Sequence, residues 1–164
     1  MGLSVRMRRI DPSGVDEGLD ALEAGFEATL DDSVYDEECA AGILCDLAEE
    51  WRAVEMTFRG RGSGYGPISD VPVMGGTLLG HVDTPPDAIV LLPQDGVRAA
   101  ADFLAEIDVP RLIEANREEL TRQNAGSLPD WVIEGIIRDT ENLKRFYGLA
   151  AAAGQVVVKR IYTD

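Results

Sequence analysis

Period-two alternation at one end of the chain and a β-branched run at the other, with helical stripes between, most limit what this sequence can fold into. Leu3, Val5 and Met7 alternate with Ser4, Arg6 and Arg8, which predicts a half-buried strand with a basic outer face. Residues 155–162 are rich in β-branched side chains and predict a closing strand, with Gly154 stopping the preceding helix just past its cap. Asp11-Pro12-Ser13 breaks the first strand. Val15, Leu19, Leu22, Phe26 and Leu30 then follow at helical spacing. A second helix is expected from about Asp36 to Phe58, with Ile43, Leu44, Leu47, Trp51, Val54 and Phe58 on its apolar side. After a Gly-rich stretch come weak strands at 71–74 and 77–82, an apolar run at 88–92, and helices beginning near Pro93, Pro110 and Pro129. The expected fold is α+β: a single domain over 1–164, with a small mixed sheet that includes both terminal strands, packed against several amphipathic helices.

Charge is distributed unevenly over this frame. Between Ile10 and Trp51 lie fourteen Asp or Glu residues and no Lys or Arg, whereas residues 1–9 sum to +3 and residues 52–164 to −4. The chain as a whole carries −15 over 164 residues. Such a one-sided negative field repels nucleic acid and anionic membranes and favours cationic partners. With 45% hydrophobic residues and near-zero mean hydropathy, the chain reads as globular. Its apolar runs are too short or too interrupted to span a bilayer, and no secretory signal opens it, so a cytoplasmic location is expected.

Each motif with chemical potential has a plainer competing explanation. His81 is the sole histidine. On a strand it would share a face with Asp83, so the two are candidates for an oriented base, but catalytic zinc usually takes three protein ligands and no second histidine exists. The stretch Arg59-Gly60-Arg61-Gly62-Ser63-Gly64-Tyr65-Gly66 reads as a flexible loop over 59–67. Arg59 and Arg61 make it a candidate anion binder, yet no Lys-Ser or Lys-Thr follows as a phosphate loop requires. Asp31, Asp32, Asp36, Glu37 and Glu38 concentrate carboxylates without the glycine of a calcium loop, and acids in a first helical turn already favour the helix dipole. Cys39 and Cys45, placed on one helix, would point apart and could not bridge; two small buried thiols are expected. No metal and no cofactor is called for.

Several pieces in order give the chain a family resemblance. The opening Met1-Gly2 before a strand, the helix containing Trp51, the Gly75-Gly76 pair and the turn Leu91-Leu92-Pro93-Gln94-Asp95-Gly96-Val97 are four of them. Pro129-Asp130-Trp131 and the closing Leu143-Lys144-Arg145-Phe146-Tyr147 with Ala153-Gly154-Gln155-Val156-Val157 complete the set. Together they resemble the YfbM-like family, a bacterial domain of unknown function, over essentially the whole length. The chain departs from that pattern at Arg52 and Glu55, where the family tends to carry histidines, and in the stretch Pro86-Asp87-Ala88-Ile89-Val90. The resemblance thus implies a fold more than an activity.

Two functional expectations follow. The first is a non-enzymatic protein whose acidic face, residues 11–50 with Asp31, Asp32, Asp36, Glu37 and Glu38, binds a basic protein partner in an immunity-like or regulatory role. The alternative is a small-molecule-binding protein or hydrolase-like enzyme with a pocket near His81, Asp83 and the 60–66 loop. The sequence leaves open whether the chain is a monomer or a homodimer.

Overall fold

The two ends of the chain lie side by side. In the computed structural model, which describes residues 3–60, 66–82 and 87–163, strand β1 (Leu3–Ile10) pairs antiparallel with the closing strand β5 (Val156–Thr163). Their register runs from Leu3 opposite Thr163 to Ile10 opposite Val156. Between them come α1 (Leu19–Glu27), α2 (Asp32–Ala40), β2 (Leu44–Asp46), α3 (Trp51–Arg59), β3 (Thr77–Val82) and β4 (Asp87–Leu92). Helices α4 (Gln94–Glu106), α5 (Val109–Ala115), α6 (Arg117–Gln123) and α7 (Asp130–Ala152) follow. The five strands form one sheet in the order β2-β1-β5-β4-β3. Every pairing among the described residues is antiparallel rather than mixed. For β4 and β5 the reason lies in the long α4–α7 connection: it leaves β4 at Leu92 and returns to Val157 directly opposite, so the chain re-enters the sheet at the end it left.

Side-chain alternation gives the sheet two different faces. Val5 and Met7 of β1, Leu92 of β4 and Val157 of β5 point into the main core against α3, α4, α5 and α7. Its largest filled positions include Phe58, Phe103, Phe146 and Tyr147; Phe58 meets Phe103 edge-on with centroids 5.5 Å apart. On the other face a smaller cluster joins Leu22 and Phe26 of α1 to Ile89 and Val158. Burying a side chain such as Phe26 contributes about 2–3 kcal/mol, which makes this cluster the anchor of the first acidic helix.

Local signals account for several boundaries. Gly154, at φ +64°, ends α7: its N–H donates to Ala151 O and that of Gln155 to Ala150 O, the paired bonds of a Schellman cap. Asp108 caps α5, its carboxylate accepting from Arg111 N–H at 3.2 Å, with Pro110 in the first turn.

The helix expected over 36–58 does not form as one piece. Gly42, at φ +68°, closes α2 with a second Schellman cap, Gly42 N–H to Cys39 O and Ile43 N–H to Glu38 O. The chain then extends as β2, pairing Leu44 with Arg8 and Asp46 with Arg6, before α3 begins at Trp51. Leu44, Leu47, Trp51, Val54 and Phe58 are buried as anticipated, but from a strand, a turn and a helix. The first stripe is also interrupted, because Gly18 sits at φ +94° between a 3-10 turn (Pro12–Glu17) and α1, and Leu30 is left 67% exposed. Residues 71–74, anticipated as weak strand, form a turn instead. No helix among the described residues is long and apolar enough to cross a membrane.

Candidate functional site

The acidic helices sit on the basic face of β1. Arg6 and Arg8 alternate outward from the core residues Val5 and Met7, and α1 and α2 cover them. Arg6 Nε donates to Asp46 Oδ2 at 2.7 Å. Arg8 grips Glu38 through two donors, Nε to Oε2 at 3.0 Å and Nη2 to Oε1 at 2.5 Å. From β5, Arg160 donates to Glu27 at 2.5 Å and to Asp87 at 3.1 Å. Of the fourteen acids, Glu27 of α1 and Glu38 of α2 therefore hold the covering helices to the sheet, while Asp46 pairs with Arg6 across strands β2 and β1. Because these pairs are partly buried, solvent screens them less than it screens surface pairs. Glu38, counted among the binding candidates, is occupied by Arg8.

The other acids of α2 face outward. Asp31 is fully exposed and caps the helix, accepting from Ser33 N–H at 2.9 Å and Val34 N–H at 3.4 Å; the bonds from the Ser33 hydroxyl and these backbone groups lower its pKa. Asp32, Asp36 and Glu37 are exposed, and among the described residues none of them has a cationic partner. Asp16, Glu17 and Asp20 upstream are exposed as well, and Leu30, between α1 and α2, faces solvent.

The two cysteines lie on different elements rather than one helix. Cys39 is in the last turn of α2 and Cys45 lies in β2, yet both border a recess of about 210 Å³ with Tyr35, Asp46 and Arg145. Burial raises both thiol pKa values, that of Cys45 most strongly, so neither is a thiolate at neutral pH.

His81 belongs to β3, its backbone in register with Ala88; its side chain, Asp83 and Arg61 lie outside the described residues. Arg59 is the last residue of α3, donating from Nε to Asp70 Oδ1 at 2.7 Å and lying 3.9 Å from Glu55. Among the described residues no group of three or more His, Cys, Asp or Glu is placed to hold a metal ion.

Arg59 borders a feature not anticipated from sequence: an open cleft of about 700 Å³ between α3 and α6. Arg52, Glu55, Met56 and Arg59 line one wall, Glu118, Glu119 and Arg122 the other, with Trp51 and Asn116 at its base. The signal was present, since 52, 55, 56 and 59 fall at the three-, four- and seven-residue steps of one helix face, beside the apolar stripe of Trp51, Val54 and Phe58. Trp51 is fixed by its indole N–H donating to Leu3 O at 2.7 Å, and the Arg52 guanidinium lies 5.3 Å from its ring centroid. Asn116, buried, donates from Nδ2 to Leu112 O at 2.9 Å and Thr57 O at 3.3 Å, tying α6 to the end of α3.

Behind the cleft is a buried lysine. Lys159 occupies the core-facing register of β5 between Val157 and Ile161, and its Nζ donates to Val71 O and Gly75 O, both at 2.7 Å. Burial lowers its pKa to about 7, opposed by the charge of Glu55, whose own pKa burial raises. Tyr147 donates to Pro72 O at 2.7 Å in the same turn. Lysine and tyrosine together satisfy three carbonyls of a segment that forms no strand, a structural duty for both.

This architecture has a counterpart in a solved structure. The chain matches the crystal structure of a protein of unknown function, YfbM from Escherichia coli, with a TM-score of 0.62 at 15% identity, covering 97% of this chain and 99% of that one. That likeness shows the fold. No curated protein matches the sequence. A family model described as a domain of unknown function, DUF1877, matches residues 1–159. The chain, from its paired terminal strands to the helices between them, belongs to the DUF1877 family.

Proposed function

We propose that this protein is a non-enzymatic binding protein that docks a basic protein partner on the acidic surface of α1 and α2. The observation that carries the reading is the division of labour among the acids. Arg6, Arg8 and Arg160 take up Asp46, Glu38 and Glu27, while Asp32, Asp36 and Glu37 stay exposed around α2. Internal neutralisation therefore leaves most of the negative field facing outward, in a block without a single Lys or Arg. Leu30, 67% exposed beside Asp31, adds an apolar anchor of the kind that an acidic rim would surround. Charge of this geometry speeds association and sets partner choice more than it sets intrinsic affinity. An immunity-like or regulatory role fits such a surface.

The test is retention of basic proteins from a lysate by the immobilised protein, against a variant carrying Asp32→Lys, Asp36→Lys and Glu37→Lys. The wild type is expected to retain a defined basic protein at low salt and to release it on the order of 0.5 M salt, where the screening length falls to a few ångströms. The triple variant should retain none of it. Equal retention by both proteins, or retention insensitive to salt, overturns the reading.

A further inference from the structure

On the opposite face of the sheet, we infer that the α3/α6 cleft binds a short zwitterionic molecule of di- to tripeptide size. Its free carboxylate would meet Arg52 and its ammonium Glu118. The argument starts from unequal pairing within the cleft. Arg59 is engaged by Asp70 and Glu55, and Arg122 by Glu119. Arg52 and Glu118 line the same cleft from facing helices, yet among the described residues each lacks an oppositely charged partner within 4.0 Å. Two unpaired opposite charges on facing walls recognise a ligand that carries both complementary charges at its ends.

Other features of the cleft narrow the ligand. Three arginines face three glutamates, Arg52, Arg59 and Arg122 against Glu55, Glu118 and Glu119, so the walls are neutral overall in a chain of −15. A neutral wall disfavours polyanions such as nucleotides and favours a ligand without net charge. Met56, with the edge of the buried Trp51, adds apolar lining to the cleft, suited to a small aliphatic side chain. The volume of about 700 Å³ exceeds what a single amino acid fills and suits two or three residues. Arg52 is also held ready: stacking on Trp51, itself fixed to Leu3 O, limits the rotamers its guanidinium loses on binding.

The experiment is titration calorimetry with trialanine as probe, beside the same tripeptide N-acetylated and C-amidated. Free trialanine is expected to bind in the micromolar to low-millimolar range, and capping either end should weaken it about tenfold or more, the usual loss on removing one charge-assisted hydrogen bond. Arg52→Gln should reproduce the loss from amidation and Glu118→Gln that from acetylation; Arg111→Gln, outside the cleft, should change nothing. Both cleft side chains are exposed, so the variants are expected to keep the wild-type melting temperature. Equal binding of capped and free tripeptide, unchanged binding by both variants, or no binding of free trialanine at 10 mM overturns the inference. A loss with Arg52→Gln alone would show an anion site and would likewise refute the zwitterion.

Discussion

Replacing Lys159 with methionine removes a buried titratable group and, with it, a measurable pH dependence of stability. Lys159 is fully buried and its Nζ donates to Val71 O and Gly75 O at 2.7 Å. In the folded protein it gives up its proton near pH 7, because burial penalises the ammonium, whereas the ordinary value for lysine is 10.5. Between those values the unfolded chain binds up to one proton more than the folded one, so stability rises with pH, by at most about 1.4 kcal/mol per unit. The neutral amine keeps two N–H groups, enough for both carbonyls, so deprotonation does not cost the contacts. Methionine matches the length without charge or donors. It leaves two buried carbonyls unpaired, at about 1–3 kcal/mol each, partly offset by removing the desolvation cost. The difference in unfolding free energy between wild type and Lys159→Met should therefore grow by about 2.5 kcal/mol from pH ~7.5 to ~9.5. Urea denaturation of both proteins across this range measures it, and the subtraction cancels groups that titrate alike in the two. A constant difference would mean that Lys159 stays protonated in the fold, and the reasoning from burial would be wrong.

Three further outcomes are expected. Tyr147→Phe removes the bond to Pro72 O from a fully buried site and should destabilise by about 1–2 kcal/mol in the same assay; no loss would mean that the carbonyl finds another donor. Gly42→Ala forces a side chain into a φ of +68° with Leu149 Cδ1 only 2.7 Å from the new Cβ, and should cost about 1–2 kcal/mol; a neutral result would show that α2 can end without its glycine. Phe26→Ala empties the small cluster beneath α1 and should cost about 3–5 kcal/mol, whereas Leu30→Ser, on the exposed side, should leave the melting temperature within a degree or two. Similar losses from both would contradict the placement of α1.

Much of the fold was legible because its causes are local. Period-two alternation in 3–8 and the β-branched run at 155–162 fix strands whatever surrounds them, and Gly154 ends α7 because it takes a left-handed backbone cheaply. Leu112, Ile113, Asn116 and Leu120 are buried at helical spacing, although the helix expected from Pro110 breaks at Asn116 into α5 and α6. The 36–58 segment misled because a short strand, a turn and a helix can together copy helical spacing. Gly42, with Leu44 and Cys45 after it, was the overlooked punctuation.

By itself the sequence determined the α+β class, the terminal strands and the acidic block, since each is set by neighbours a few residues apart or by composition. Only the tertiary structure decided what the charges do. The partners of Arg8 and Arg160 lie 30 and 133 residues away, distances at which no local pattern signals a pair. In the same way the Arg52–Glu118 cleft and the buried Lys159 arise because packing brings α3 beside α6 and turns one register position of β5 beneath the 71–75 segment. Local periodicity says which side of an element faces inward; what that side meets depends on how the whole chain closes.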